Sequence, residues 1–239
     1  MNIGRRGLFR ASVVALPLVW AVGARADTTD LVVACDTALG SAVTAVAAAY
    51  TARTRIAIRV FPTSPALIVP QLERDTQNDL IVTRSSVLDQ AAQAERLQSD
   101  RRAGPWRNPL VLAAAPGATT TDGPVAVTDP SPVSMLDGRA VLVSMGRKPA
   151  AVIGAVDTAG VAFLLNTGVA KSGLLYLTDA VANRLQVLAR VPDDIAPPLQ
   201  IGAAITRNAG RPNPDAFLAF LATPDAAAVL RAAGLEAAP

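Results

Sequence analysis

A polar pair, Asp36 and Thr37, interrupts an apolar stretch near the start of the chain. Residues 31–35 before it are apolar and partly β-branched, whereas residues 38–50 after it carry apolar side chains at helical spacing. This pattern predicts a strand that leads into a helix capped by Thr37. The free amides at the helix start would face outward at the carboxyl end of the strand and attract an anion. An ordinary buried strand-helix unit would show the same pattern.

A second helix start of this kind is predicted at Ser64. Residues 56–61 alternate as in a strand, and Pro65 suits the first position of a helix. The hydroxyls of Thr63 and Ser64 would therefore lie at the same sheet edge as the first helix start. Pro70 should end or kink this second helix early.

Arg84 ends a third predicted strand, residues 78–84, and a helical run over 86–97 follows it. Alternating strands and helices predict a parallel sheet, whose strands all end at one edge. Arg84 could pair there with the carboxylate of Asp36 or supply positive charge to a ligand. An exposed charge at the strand end is the alternative.

The rest of the chain continues the pattern less regularly. Further strands are predicted from Trp106 and over 172–179 and 186–191, and helices over 156–168, from Pro214 and from Pro224. Residues 197–198 with 201–205 suggest that the chain returns there to the first part of the molecule. Tyr176 would lie in the middle of its strand, by default as a half-buried core aromatic. Residues 135–145 are ambiguous, because Gly138 and β-branched residues weaken a helix there.

The chain has no histidine and one cysteine, Cys35. This composition excludes an intramolecular disulfide, the usual zinc ligand sets and a Ser-His or Cys-His catalytic pair. Cys35 is expected to be a buried thiol at a strand end. Catalysis would have to rest on Cys35, Tyr176 or the carboxylates of Asp36, Asp157 and Asp179, without a base that titrates near neutral pH. We therefore expect a binding protein, not an enzyme.

Residues 1–26 have the features of a secretory signal: charged residues, a short apolar run and an Ala-x-Ala end at Ala26. The adjacent Arg5 and Arg6 resemble a twin-arginine export signal. Cleavage near Ala26 would release a periplasmic protein and remove four of the 22 basic residues but none of the 19 acidic ones. The nearly balanced charge that remains argues against nucleic acid or an anionic membrane surface as partner.

Taken together, these segments resemble the periplasmic molybdate-binding proteins of ABC importers, which have the type II periplasmic binding protein fold. The resemblance covers nearly the whole chain after residue 26 and is carried by order and spacing, not by one motif. The matching segments are residues 31–50, 63–67 with 78–84, 108–112, 129–130, 156–168, 173–180, 192–198 and 217–234.

The resemblance implies an α/β fold of two lobes joined by a two-strand hinge, with the ligand cleft between the lobes. Residues 27–108 with 200–239 would form the first lobe, and residues 109–199 the second. The implied function is capture of an oxyanion such as molybdate or tungstate, followed by delivery to an ABC permease in the inner membrane. Neither a cofactor nor a resident metal is expected, and the protein would be a monomer.

By position, the resemblance also implies binding residues in both lobes. Ser64, with Thr63 beside it, matches the family's second binding serine, and Tyr176 matches its binding tyrosine. Thr158 falls where the family uses a backbone amide from the second lobe.

The family's first binding serine is absent, because Ala38 takes its place after Asp36 and Thr37. The family's Pro-Ala-Gly segment falls near residues 134–136 and is not preserved. A carboxylate about 4 Å from a bound anion costs roughly 4 kcal/mol at an effective dielectric constant near 20. Asp36 must therefore turn away or be neutralised, or the ligand is a different organic or cationic solute. A non-transport accessory or interaction protein is a further alternative.

Overall fold

Two β-sheets organise the computed structural model, which describes residues 30–74, 77–118, 122–130 and 136–238. The predicted signal, residues 1–26, lies outside these ranges. The strands are β1 (Leu31–Asp36), β2 (Ile58–Thr63), β3 (Leu80–Arg84), β4 (Leu97–Asn108), β5 (Leu110–Ala114), β6 (Val125–Thr128), β7 (Val152–Ala155), β8 (Ser172–Tyr176), β9 (Gln186–Arg190), β10 (Leu199–Thr206) and β11 (Glu236–Ala237). The helices are α1 (Gly40–Thr54), α2 (Pro65–Glu73), α3 (Ser85–Gln93), α4 (Gly138–Ser144), α5 (Thr158–Asn166), α6 (Leu177–Ala182), α7 (Pro214–Leu221) and α8 (Pro224–Ala232).

The first sheet has the strand order β11-β4-β10-β3-β1-β2, and the second has the order β7-β6-β8-β5-β9. We call the parts of the molecule built on these sheets the first lobe and the second lobe. The chain leaves the first sheet after Asn108 and returns to it at Leu199. This two-lobe α/β architecture is the one that the resemblance to type II periplasmic binding proteins implies. The lobe boundaries inferred from the sequence stay a prediction.

The first sheet is mixed, and the prediction of a parallel sheet was wrong in this respect. Strands β2 and β3 are parallel to β1, but β10 is antiparallel to both β3 and β4, between which it lies. The reason is that β10 enters from the second lobe, not through a helical crossover, so it is free to run in the opposite direction.

The carboxyl ends of β1, β2 and β3 meet at one edge of the first sheet, as the sequence predicted. In the strand register, Asp36 lies opposite Thr63, and Cys35 lies opposite Val82. Asp36 therefore lies beside the last residue of β2. Arg84 is the last residue of β3, two residues after Val82, so its side chain starts close to Asp36.

Helix α1 packs its predicted apolar side against the first sheet and helices α7 and α8. Val43, Val46 and Tyr50 are buried in this cluster, and the ring of Tyr50 lies 5.1 Å, centroid to centroid, from that of Phe217. A Cβ atom at Gly40 would lie 2.9 Å from Cγ of Pro62. Glycine at this position therefore lets the helix begin directly against β2.

Helix α2 does not end at Pro70, which was one of the two effects expected of that proline, and the predicted end of α3 was wrong. Helix α2 continues to Glu73, three residues beyond Pro70, because proline removes one backbone hydrogen bond while Ile68 and Leu72 hold the helix in the core. Helix α3 ends at Gln93 instead of continuing to residue 97. Glu95 then adopts a positive φ of 55°, and Leu97 begins β4, which pairs with β10.

The polar end of the predicted strand over 172–179 belongs to a helix instead. Strand β8 ends at Tyr176, and α6 begins at Leu177. Tyr176 is therefore the last residue of its strand, not a mid-strand residue.

The ambiguous stretch 135–145 contains helix α4, which Asp137 caps by accepting a hydrogen bond from the Ala140 amide over 3.0 Å. Gly138 lies where a Cβ would meet Val127 at 2.7 Å, so packing retains glycine in this helix.

None of the helices in the described ranges is long and apolar enough to span a membrane. The exposed arginines of β4 pair with exposed carboxylates on neighbouring helices. Arg101 pairs with Asp215 on α7, and Arg102 pairs with Asp89 on α3.

The buried carboxylate of Asp79 ties β1 to the segment that follows β10. It accepts hydrogen bonds from the Val32 amide over 2.8 Å and from the Arg211 amide over 3.2 Å, and it pairs with the Arg211 guanidinium. We expect Asp79→Ala to lower the free energy of unfolding by about 2–4 kcal/mol, because these buried donors lose their acceptor.

Urea denaturation measures this loss. Asp89→Ala is the matched control, since it removes an exposed carboxylate and should change stability by about 0.5 kcal/mol or less. Equal effects of the two substitutions would contradict the role assigned to Asp79.

Candidate functional site

Asp36 and Arg84 form a buried ion pair at the edge where β1 and β3 end. Oδ2 of Asp36 accepts hydrogen bonds from Nε of Arg84 over 3.0 Å and from Nη2 over 2.8 Å. Asp36 is 1% exposed and Arg84 is 6% exposed. Of the three outcomes expected for Arg84, the structure contains the pairing with Asp36 and excludes an exposed charge at the strand end.

The same carboxylate caps the turn that precedes α1. Oδ1 of Asp36 accepts a hydrogen bond from the Ala38 amide over 3.2 Å, and residues Thr37–Leu39 form a short 3-10 turn before α1 begins at Gly40. The prediction that Thr37 caps the helix was thus wrong, because the chain turns one residue earlier. The Ala38 amide, which was expected to be free for a ligand, therefore already donates to the Asp36 carboxylate.

Ser64 has a buried hydroxyl without a partner. It precedes α2 with extended backbone angles but makes no side-chain capping bond, and its Oγ atom has no hydrogen-bond partner among the described residues. The neighbouring Thr63 is engaged, because its Oγ1 accepts a hydrogen bond from Nε2 of Gln71 over 3.2 Å. An unpaired buried hydroxyl is costly, and this one is available to a bound group.

Tyr176 brings the second lobe into the neighbourhood of the ion pair. Its pKa is raised to about 12, mainly by burial. Arg84 lowers that pKa, while Asp36 and Asp179 raise it. Arg84 and Asp36 belong to the first lobe, whereas Asp179 belongs to the second. Tyr176 is buried, not half-buried, and it shares an apolar cluster with Ala38.

Thr158 and Asp179 are two further residues that the second lobe brings to the candidate site. Thr158 is the first residue of α5, and Asp157 caps that helix by accepting a hydrogen bond from the Gly160 amide over 2.8 Å. The Thr158 side chain also interacts by hydrogen bonding with Asp179 and lowers the pKa of its carboxyl. Burial outweighs this effect, so the pKa of Asp179 is raised to about 7, with smaller upward contributions from Asp36 and Asp157.

A short chain of hydrogen bonds joins the two lobes beside this site. Oγ1 of Thr178 in α6 donates to the carbonyl of Ala38 over 2.7 Å. The same oxygen accepts from Nδ2 of Asn108 over 2.8 Å, at the point where the chain leaves the first sheet. All three residues are buried, so the lobes lie in contact at the turn that follows β1.

The structure thus gathers most of the residues inferred from the sequence. Asp36, Ala38, Arg84 and Tyr176 lie together, Thr63 lies opposite Asp36 in the strand register, and Ser64 follows it. Thr158 joins them through Asp179. Thr37 is exposed and lies outside the buried group. The predicted binding roles of all eight residues stay a proposal.

Three residues of this site carried no binding role in the sequence interpretation: Asn108, Thr178 and Asp179. The available signal was the polar pair Thr178-Asp179 after an apolar strand, which repeats the arrangement of Asp36-Thr37. Ser134 and Met135 of the unpreserved segment lie outside the described residues. The carbonyl of Leu136 accepts a hydrogen bond from Oγ1 of Thr128 over 3.0 Å.

Cys35 is fully buried beside the site, as expected, and burial raises the pKa of its thiol to about 12. Asp36 contributes a smaller upward shift. The thiol is therefore neutral and inert near neutral pH. Within the described ranges, no cluster of three or more His, Cys, Asp or Glu side chains could hold a metal ion.

The sequence matches the family model of bacterial extracellular solute-binding proteins over residues 31–236. Comparison with curated proteins gives no match.

Solved structures share the fold at low sequence identity. The periplasmic molybdate-binding protein of Azotobacter vinelandii has a TM-score of 0.73 at 17% identity, covering 88% of this chain and 100% of its own. The substrate-binding domain of a putative molybdenum ABC transporter from Clostridium difficile has a TM-score of 0.69 at 16% identity, covering 88% and 99%. A putative phosphate ABC transporter substrate-binding protein from Clostridium perfringens, with bound phosphate, has a TM-score of 0.61 at 10% identity, covering 88% and 100%.

Breaking the buried ion pair from one side should be strongly destabilising. We expect Arg84→Met to lower the free energy of unfolding by about 3–5 kcal/mol, because the Asp36 carboxylate remains buried without its partner. Adding Asp36→Asn should recover a large part of that loss, since no uncompensated charge remains. Chemical denaturation of the three proteins measures both effects.

Arg102→Met provides the control, because its partner Asp89 is exposed and the pair contributes about 1 kcal/mol or less. A double variant no more stable than Arg84→Met alone would show that the ion pair is not the cause.

Proposed function

Since this chain belongs to the family of bacterial extracellular solute-binding proteins, we propose that it captures a molybdate- or tungstate-like oxyanion between its lobes for an ABC importer. Members of this family are solute-binding proteins, not enzymes, and the solute is a ligand and not a cofactor. We further propose that the protein acts in the periplasm, after loss of residues 1–26, and that it delivers the solute to a permease in the inner membrane.

The observation that carries the oxyanion proposal is the buried, unpartnered hydroxyl of Ser64. It lies directly before α2, a nine-residue helix whose first residue is Pro65. A hydroxyl and helix N-terminal amides can hold a dianion by charge-assisted hydrogen bonds without a formal positive charge. The backbone at Thr158 offers a second helix start from the opposite lobe.

The Asp36–Arg84 pair makes this proposal electrostatically reasonable. The guanidinium lies 2.8 Å from the carboxylate, so the pair has no net charge and the repulsion expected from Asp36 is largely cancelled. Arg84 uses Nε and Nη2 for Asp36, while its Nη1 donates to no described residue. This remaining nitrogen is a candidate donor to an anion.

Two of the structural relatives support an anionic solute for this chain. The Azotobacter vinelandii protein is molybdate-binding, and the Clostridium perfringens protein holds phosphate. Both ligands are tetrahedral oxyanions of similar shape.

Calorimetric titration of the chain without residues 1–26 tests the proposal, with molybdate, tungstate, sulfate and phosphate as ligands. We expect saturable binding of one oxyanion per chain and a matching rise in melting temperature. Ser64→Ala should weaken binding about tenfold or more, because one hydrogen bond to a charged group is lost.

Ser41→Ala is the matched control, since Ser41 is an exposed serine on α1 and its loss should leave affinity unchanged. Absence of heat and of a thermal shift with all four anions would refute the oxyanion proposal.

An organic or cationic solute is the second candidate, favoured by the buried carboxyls of Asp36 and Asp179. Each could accept a hydrogen bond from a solute that carries a donor. A thermal-shift screen with organic cations, amino acids and organic acids addresses this candidate directly.

Replacing Asp36 distinguishes the two candidates. If the solute is an oxyanion, Asp36→Ser should raise its affinity by about tenfold or more, because the carboxylate is lost and the charge of Arg84 becomes available. The same substitution should destabilise the ligand-free protein, since Arg84 loses its partner. Calorimetry gives the affinity and thermal melting gives the stability.

Asp30→Ser serves as the control directly before the same strand, where Asp30 pairs with Arg59 near the surface. A marked loss of affinity in Asp36→Ser would identify Asp36 as a direct partner of a donor-bearing solute.

A further inference from the structure

We propose that Asp179 binds the solute as a neutral carboxylic acid, donating a hydrogen bond to the oxyanion and coupling its capture to a proton. This inference deepens the proposed function and rests on it. Asp179 would be a specificity-determining residue of the second lobe, acting on oxyanions that only accept hydrogen bonds.

The position of Asp179 supports a role in binding. It lies one residue after Thr178, whose hydroxyl contacts the Ala38 carbonyl across the lobes. The residue is 7% exposed, and its Oδ2 atom is buried without a hydrogen-bond partner in the described part of the chain. Its neighbour Thr158 starts helix α5. An unpaired buried carboxyl oxygen beside a proposed binding residue is a group that a bound solute would satisfy.

The charged groups around Asp179 come from several packed elements. Helix α6 packs against the turn over residues 37–39, α1, α5, β5 and β8. The turn brings Asp36 with its partner Arg84, α5 brings Asp157 from its cap, and β8 brings Tyr176. Strand β5 has no ionisable residue.

Helix α1 carries two ionisable side chains, Tyr50 and Arg53, which are engaged elsewhere. Tyr50 packs on Phe217 and Phe220, while Arg53 pairs with Asp225. The surroundings of Asp179 therefore contain more negative than positive charge.

This environment disfavours ionisation of Asp179. Burial raises the pKa of its carboxyl to about 7, the Thr158 hydrogen bond lowers it, and the charges of Asp36 and Asp157 raise it. A dianion bound nearby would raise the pKa further. Near and above neutral pH, binding would therefore be accompanied by proton uptake.

The sign of the pH dependence follows from this linkage. Below the pKa of ligand-free Asp179 the carboxyl is already neutral, so affinity is at its maximum and independent of pH. Above that value each binding event must take up one proton, and the dissociation constant should rise about tenfold per pH unit. The proton comes from the buffer and forms the O–H bond of the Asp179 carboxyl, where it stays, and no other covalent bond is made or broken.

The chemistry also distinguishes among oxyanions. Between about pH 5.5 and about pH 8.5, molybdate and tungstate are dianions, which accept hydrogen bonds but donate none. Hydrogen phosphate brings its own proton and can donate it toward an ionised carboxylate. Phosphate affinity should therefore depend less steeply on pH than molybdate affinity.

Calorimetry with molybdate from about pH 5.5 to about pH 8.5 tests this inference on the chain without residues 1–26. We expect a flat region followed by a decline that approaches tenfold per pH unit. At about pH 8, titrations in buffers of different ionisation enthalpy should show uptake of about one proton per molybdate. Asp179→Asn, which stays neutral and keeps a donor, should bind molybdate with a flat pH profile and without proton uptake.

Asp215→Asn is the control, because it neutralises an exposed carboxylate on α7 and should retain the wild-type profile. If Asp179→Asn fails to fold, Asp179→Ser supplies a smaller neutral donor for the same comparison. Molybdate binding with a flat wild-type profile, or an unchanged slope in the folded Asp179 variant, would overturn the role of Asp179 and leave the proposed function intact. No binding of any oxyanion at any pH would refute both.

Discussion

The buried contact between Asp36 and Arg84 is the constraint on which the rest of the site depends. Neither charge can be buried alone without a large desolvation cost, so each requires the other at hydrogen-bonding distance. The pair fixes the ends of β1 and β3 relative to each other. Through Oδ1 of Asp36 it also holds the turn at Ala38, which Thr178 of the second lobe contacts. A local ion pair thus sets the geometry of the interlobe contact.

The ion pair also determines how this site can discriminate among solutes. Because the two charges largely cancel, a bound anion gains little from net charge and depends on individual donors. Ser64, Tyr176 and Asp179 offer such donors from both lobes, and each is a neutral hydroxyl or a carboxyl whose ionisation burial opposes. Selectivity would then follow from hydrogen-bond complementarity more than from electrostatic attraction.

The sequence was sufficient for features that depend on local pattern. The apolar periodicity of residues 38–50 predicted α1, Pro65 marked the start of α2, and alternation of strands and helices placed Arg84 near Asp36. Features that depend on pairing between segments far apart in the sequence could not be predicted from local patterns. The antiparallel insertion of β10 and the helical position of Asp179 follow from contacts between segments far apart in sequence, which short-range patterns do not encode.

The hydrogen bond from Thr178 to the Ala38 carbonyl has a consequence for how an empty receptor behaves. If opening of the lobes breaks this bond, the bond lowers the free energy of the closed form for the empty protein as well as for the loaded one. The equilibrium between open and closed molecules is then less dependent on the solute. A closed, empty molecule cannot admit solute, so the bond would lower the apparent affinity in proportion to the fraction of molecules that it keeps closed. Tight closure and ready loading would then be opposing demands on a single threonine.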